Sequence, residues 1–309
     1  MATSVGTSAE LTKTSTKSGV KQTLLTYLEL TKLKIVALLL FTTVTAMVIA
    51  AGGQFELLGA VILPTLIGGA LSAGGASALN QYIDRDLDAR MSRTARRPIP
   101  SGRVAPINAL LFGLVLVVWS TLILGVFVNW LAAVLALFGG FYYVVIYTII
   151  LKRNTVLNIL IGGGAGAIPV LVGWSAVTGS LNFEAFLLFA IVFYWTPPHS
   201  WALALLVNSD YARANVPMMP VARGEDVTRQ QILLYSVQLL LITLLPVVFG
   251  TLNAIYLLAA VALGLGLIRM ALLLMRRQDG ATARSTYKYS TMYLAALFLA
   301  MIVDAVILV

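Results

Sequence analysis

Between residues 80 and 88 the chain reads Asn80-Gln81-Tyr82-Ile83-Asp84-Arg85-Asp86-Leu87-Asp88. In a helix, residues four apart share one face, with β-carbons about 5–6 Å apart. Asn80, Asp84 and Asp88 therefore form one oxygen-bearing stripe if the helix continues through them, and Asp86 points elsewhere. Magnesium takes hard oxygen ligands and usually binds through one or two carboxylates together with phosphate oxygens and water. Two carboxylates one turn apart, with an amide one turn deeper, suit a Mg2+ ion that arrives carrying a diphosphate. The competing reading is a helix end whose acids pair with Arg85 and Arg90. Acids at a helix carboxyl end oppose the macrodipole, so capping explains them poorly.

The residues that follow add cations. The loop Met91-Ser92-Arg93-Thr94-Ala95-Arg96-Arg97-Pro98 sets Arg93, Arg96 and Arg97 directly beside the acidic stripe. An arginine offers phosphate oxygens a planar fork. Lys152 and Arg153 lie in the next basic connection. A second long polar loop, from Asn208 to Asp226, carries Asp210, Arg213 and Arg223. Asp210 follows its apolar run much as Asp84 follows its own, which makes it a candidate second carboxylate for the opposite side of the same metal-diphosphate cluster. Glu225 and Asp226 precede Thr228 and fit the start of the next helix better than a ligand role. His199, in Trp195-Thr196-Pro197-Pro198-His199-Ser200-Trp201, stands where paired prolines are expected to interrupt a helix. Its spacing allows three roles: contact with a ring substrate, ligation of an iron, or a hydrogen bond to a neighbouring helix.

These groups need elements to position them, and the elements are apolar. Of 309 residues, 60% are hydrophobic and 11% charged, against about 25% charged in a soluble domain. Such a chain cannot cover itself with a wetted surface. A spanning helix needs about 20 mostly apolar residues, and runs of that kind lie near 34–53, 58–83, 106–127, 129–150, 156–178, 184–206, 230–250, 252–275 and 287–308. The expected fold is thus an all-α membrane protein of about nine transmembrane helices. The connections near 54–57, 128, 179–183 and 251 hold no Lys or Arg. All 21 basic residues fall in the amino-terminal segment and the alternate connections with their flanking turns. Basic loops stay on the cytoplasmic side, so the amino terminus is expected inside, the carboxyl terminus outside, and the acidic stripe at the cytoplasmic face.

The same arithmetic bounds the function. A net charge of +9 reads as membrane orientation and not as nucleic-acid binding. The absence of cysteine and the single histidine exclude thiolate chemistry and a zinc site built from histidines. Residues 1–26, rich in Ser, Thr and Lys without a signal-peptide core, read as a flexible cytoplasmic tail, and 27–309 as one polytopic domain. Small residues at Gly68–Ala76 and Gly162–Ala167 suit close helix packing in lipid. A transporter would place its acids nearer the membrane midplane.

The stripe resembles the first motif of the UbiA-type intramembrane prenyltransferases, Asn-x-x-x-Asp-x-x-x-Asp, at Asn80, Asp84 and Asp88. Narrower similarity points to the haem-farnesylating branch of that superfamily. It lies in Met91-Ser92-Arg93-Thr94 with Arg97-Pro98, Leu151-Lys152-Arg153-Asn154-Thr155, Gly163 to Pro169 with Gly173-Trp174, Pro198-His199-Ser200, and Asp210-Tyr211 through Pro217-Met218-Met219-Pro220-Val221. The likeness covers about residues 25–305. Two positions depart from it. Ala214 stands four residues after Asp210, where the superfamily's second motif has an acid, and Thr31-Lys32-Leu33-Lys34 replaces Thr-Lys-Pro-Arg.

What the resemblance implies is a bundle around a central cavity in the plasma membrane of a prokaryote. Its reaction would be Mg2+-dependent transfer of farnesyl from farnesyl diphosphate to a vinyl group of haem b, with water added. Asn80, Asp84, Asp88 and Asp210 would be the catalytic set, with Asp84, Asp88 and Asp210 on the metal. Arg93, Arg97, Lys152, Arg153, Arg223 and His199 would bind substrate. A downstream haem-modifying enzyme or terminal oxidase assembly factors would be its partners. A relative of the same fold acting on an aromatic acid, quinone precursor or chlorophyll-like ring is the alternative.

Overall fold

The computed structural model describes residues 7–307, with side chains from Gly19 onward, and all regular structure among them is helical. In chain order the helices are α1 (Thr7–Thr31), α2 (Leu33–Ala50), α3 (Glu56–Ile83), α4 (Arg85–Arg90), α5 (Pro106–Phe127) and α6 (Trp130–Phe141), which runs on as a π-wound stretch, Tyr142–Leu151. They continue with α7 (Asn158–Gly162), α8 (Gly164–Thr178), α9 (Phe183–Leu206), α10 (Asn208–Arg213), α11 (Met219–Arg223), α12 (Glu225–Val248), α13 (Ala254–Arg277) and α14 (Gly280–Ile307). α1 begins inside the segment read as a tail, and residues up to 6 lie outside the described ones.

Among the described residues, eight units are long and apolar enough to cross a membrane: α2, α3, α5, α6 with its π stretch, α7 with α8, α12, α13 and α14. α9 matches them in length at 24 residues, but Glu184, Pro197, Pro198 and His199 dilute its apolar character. The expected interruption of α9 is absent, because the helix runs through Pro197 and Pro198. Proline's fixed φ is itself helical, so its cost lies in the lost N–H and the clash one turn back. The buried rings of Trp195 and Trp201 on either side hold the helix together. Local signals set other boundaries. The Asn129 side chain accepts from Ala132 N (2.8 Å) to start α6, Pro106 opens α5, and α12 and α14 start earlier than their apolar runs, in polar turns.

The distribution of side chains is that of a protein in lipid. Leu111, Val118, Trp119, Val126, Val134 and Leu258 are more than half exposed on the outside, while polar groups tie helices together within. Ser72 donates to Ala136 O (3.0 Å) and Ser120 to Gly68 O (2.7 Å), joining α3 to α6 and α5 where no hydrophobic force acts between helices. Backbones also meet directly. A β-carbon on Gly173 of α8 would overlap the carbonyl oxygen of Thr43 on α2 and lie 3.1 Å from its Cα. The largest core gathers Trp174, Leu188, Ile191, Tyr256, Tyr293 and Phe298 where α8, α9, α13 and α14 meet. Nearby, the buried carboxylate of Asp304 on α14 accepts from Asn253 N (2.6 Å) and Tyr256 N (3.0 Å), closing the start of α13.

Candidate active site

α3 ends at Ile83, and Asp84 is a turn residue (φ −84°, ψ 7°) before α4. The amide ladder nevertheless carries across the break, since Asp84 N donates to Asn80 O (2.9 Å) and Asp88 N to Asp84 O (2.8 Å). The stripe of three therefore survives on one face, and all three side chains are buried. Asn80 Nδ2 donates to Asp84 Oδ2 (2.8 Å) and to Thr148 Oγ1 (3.0 Å). Asp84 also accepts from Lys152 Nζ at 2.5 Å. Asp88 accepts from Arg97, whose Nη1 lies 2.8 and 2.7 Å from its two oxygens.

Next to this row opens a cavity of about 140 Å³. It lies where α2 begins, α3 ends and the π stretch ends. Four cations line it (Lys32, Arg93, Arg97 and Lys152) together with Asn80, Asp88, Met91 and the rings of Tyr143, Tyr147 and Tyr211. Counting Asp84, which binds Asn80 and Lys152 of this wall, two carboxylates face four basic side chains, so the chamber carries a surplus of positive charge and favours an anion. Its volume is below the roughly 300–1,000 Å³ of a drug-sized ligand pocket, which suits a charged head group. The expected central cavity is thus, in this structure, a polar chamber at one end of the bundle.

The other candidates sit further out. Arg153 pairs with the exposed Asp86 (2.8 and 3.0 Å) and only reaches Asp84 at 3.5 Å; the Arg153 guanidinium holds the Asp86 carboxyl below its usual range. Asp210 does not line the chamber. It accepts from Ser92 Oγ (2.8 and 3.0 Å) and from the amides of Ser92 (3.3 Å) and Arg93 (3.2 Å), and it pairs with Arg213. Burial raises this carboxyl, and those bonds outweigh burial and leave it below the usual range. Asp210 therefore anchors the loop that carries Arg93, while its neighbour Tyr211 reaches the chamber. Arg223 is exposed at the end of α11, away from the chamber. Glu225 and Asp226 open α12 and bind Arg229 (2.5 and 2.8 Å). His199 lies apart on α9, its Nδ1 2.9 Å from Ser290 Oγ.

Lys32, met in the sequence only as part of Thr31-Lys32-Leu33-Lys34, was not among the candidate site residues. Its left-handed backbone (φ 54°) breaks α1 from α2 and aims its ammonium at Asn80 Oδ1 (2.9 Å) and Tyr143 OH (3.3 Å). Burial, followed by the charges of Arg97 and Lys152, pushes that ammonium down to about 7. Tyr143 and Tyr147 were also missed. They stack at 5.6 Å and 15° on the π-wound stretch, where Lys152 N bonds to Tyr147 O (2.8 Å), five residues back. Tyrosines four apart at the end of an apolar run, followed by Lys152, were the available signal.

The donor set suits magnesium. Among the described residues no three Asp, Glu or His side chains gather into a cage, but Mg2+ ordinarily binds by one or two carboxylates and completes its shell with phosphate and water. Asp84 and Asp88 supply two hard carboxylates, with the Asn80 amide between Lys32 and Asp84.

Comparison with known proteins converges on one family. The model of the UbiA prenyltransferase family matches residues 39–301. Protoheme IX farnesyltransferase of Roseiflexus castenholzii is 53% identical over 294 residues, 95% of this chain and 55% of that protein. Its namesake in Gloeobacter violaceus is 51% identical over 283 residues, 91% of this chain and 92% of that protein. The chain spans about half the length of the first relative. In fold it matches the solved structure of a UbiA homolog from Archaeoglobus fulgidus bound to DMAPP and Mg2+, with TM-score 0.64 at 16% identity, covering 89% of this chain and 98% of that one.

Proposed function

The chain belongs to the UbiA prenyltransferase family, and on that premise we propose that it transfers the farnesyl group of farnesyl diphosphate to a vinyl group of haem b, with addition of water. The observation that carries this reading is the pair of buried carboxylates, Asp84 and Asp88, each held by a cation at the wall of an anion-attracting chamber. The relatives' shared name, protoheme IX farnesyltransferase, supports haem as the acceptor.

Diphosphate in the chamber meets Lys32, Arg93, Arg97 and Lys152. Lys152 and Arg97 exchange carboxylate oxygens for phosphate oxygens. Asp84 and Asp88, so released, would hold Mg2+, which when bound would draw charge from the leaving diphosphate. The C1–O bond of farnesyl diphosphate breaks, C1 bonds to a vinyl carbon of haem, water supplies a hydroxyl to the other vinyl carbon, and a proton is lost. The stacked rings of Tyr143 and Tyr147 offer π density to the allylic cation. Asp210 acts as the second acidic position of the fold, holding the Arg93 loop against the chamber, and His199 contacts haem.

The reading extends to topology. α9 crosses the membrane in addition to the eight apolar units, as the sixth of nine spans in chain order, with the amino terminus cytoplasmic and the carboxyl terminus outside. The chamber opens to the cytoplasm at a prokaryotic plasma membrane, where a haem-modifying enzyme takes the product. The basic connections, which include the chamber loops, support this orientation.

Purified protein incubated with Mg2+, haem b and farnesyl diphosphate is expected to yield a haem heavier by one farnesyl group and one hydroxyl, read by mass spectrometry. Unchanged haem would reject the proposal. His199→Ala is expected to raise the KM for haem at least as much as the loss of an outer-shell partner would, about 10–100-fold, while leaving that for farnesyl diphosphate within about twofold, because His199 lies outside the chamber. Equal changes in the two KM values would count against haem contact.

A further inference from the structure

His199 is the only histidine of a chain without cysteine. Its ring lies between Trp195 (centroids 4.2 Å apart) and Tyr287 (4.7 Å), so it cannot turn freely. Its Nδ1 is 2.9 Å from Ser290 Oγ on α14. The same oxygen lies 2.8 Å from the carbonyl oxygen of Tyr287. A serine hydroxyl has one proton, and a carbonyl can only accept. The proton therefore goes to Tyr287 O, since without it two oxygen lone pairs would face each other at that distance. Ser290 Oγ then has only lone pairs to offer the imidazole, so Nδ1 must carry the proton of the neutral ring. Nε2 is left bare.

Among the described residues nothing bonds Nε2. Nor is it sealed away, for the enclosed and unpartnered side-chain atoms include Trp174 Nε1, Trp201 Nε1 and Tyr293 OH but no atom of His199. Ser290 is itself wholly buried, and Trp195 Nε1 donates to its carbonyl oxygen at 2.7 Å. Two bonds from one turn of α9 thus grip one residue of α14.

We propose that Ser290 is a positioning residue for the haem substrate: it locks His199 in the Nδ1-protonated tautomer and so presents the Nε2 lone pair to the haem iron. This rests on the haem reading given above. A metal-bound imidazole is oriented and made more basic when its other nitrogen donates to a fixed acceptor, which is the bond Ser290 accepts. With no second imidazole and no thiolate in the chain, any imidazole bond to iron comes from His199.

The single histidine makes the test direct. Protein carrying 15N-labelled histidine, purified on a tag free of histidine, shows one imidazole by NMR. Without haem, the wild type is expected to show a protonated Nδ1 and a bare Nε2; a protonated Nε2 would overturn the proposal. In haem titrations followed by the Soret band, Ser290→Ala is expected to bind haem about tenfold more weakly with an altered band. Farnesyl diphosphate binding should stay unchanged as a control for folding, and Ser290→Thr, which keeps the hydroxyl, should restore haem affinity. Wild-type haem affinity in Ser290→Ala, or equal loss for both substrates, would overturn it. If His199→Ala leaves the haem spectrum of the wild type intact, the haem contact of His199 itself fails. If His199→Ala abolishes that spectrum and Ser290→Ala does not change it, only the role of Ser290 fails.

Discussion

Asp84→Asn is expected to lower kcat by about 10³-fold, in line with the loss of one preorganised electrostatic group, while the protein still inserts in the membrane. The substitution keeps the shape and removes one negative charge from a fully buried site. Lys152 at 2.5 Å loses its counter-charge, and one of the two carboxylates available to Mg2+ is gone. Breaking a buried ion pair also costs about 3–5 kcal/mol of stability. Turnover is therefore to be measured on purified protein well below the variant's Tm, with helicity checked by circular dichroism. Turnover within threefold of wild type in a folded variant would sink the metal role of Asp84.

Gly173→Ala is expected to destabilise the fold by about 2–3 kcal/mol, the upper range for overpacking. The added methyl would collide with the Thr43 backbone, and backbone cannot swing aside as a side chain can. α2 and α8 would have to separate along a seam where the Thr43 hydroxyl lies between Leu39 O of its own helix (2.9 Å) and Pro169 O of α8 (3.1 Å). Gly166 on the same helix provides the contrast, since a β-carbon there meets nothing within 4 Å. Gly166→Ala should be neutral or gain up to about 1 kcal/mol from helix propensity. Thermal unfolding in one detergent measures both, and an equal Tm for the two variants would refute the argument from contact.

The apolar runs were legible because lipid imposes a length that little else in a chain imitates, and each reappears as helical structure, the run at 156–178 split into α7 and α8 and the run at 129–150 turning from α6 into the π stretch. The stripe was legible because helical spacing brings Asn80, Asp84 and Asp88 together whatever surrounds them. Arg97 and Lys152 could be picked out only as basic residues beside acids. Which carboxylate each would hold depends on how the loop after α4 folds back and on π winding before Lys152, and neither has a local signature. Arg223 had the same composition argument as Arg97 and lies outside the chamber. Lys32 was hidden for the opposite reason: at the edge of a span, a lysine is what the charge rule expects anyway. Its backbone kink, which turns it inward, is a tertiary event. The prolines of α9 misled because proline's effect depends on whether neighbouring rings hold the helix together, and Trp195 and Trp201 do.

Asp304 has a practical bearing on anyone altering the carboxyl end. Its buried side chain is the acceptor for two amides that open α13, and the bond to Tyr256 N is itself buried. Trimming the chain back past that residue would strip both amides of their partner and loosen the last helical hairpin from its far end. Shortening should therefore stop on the distal side of 304.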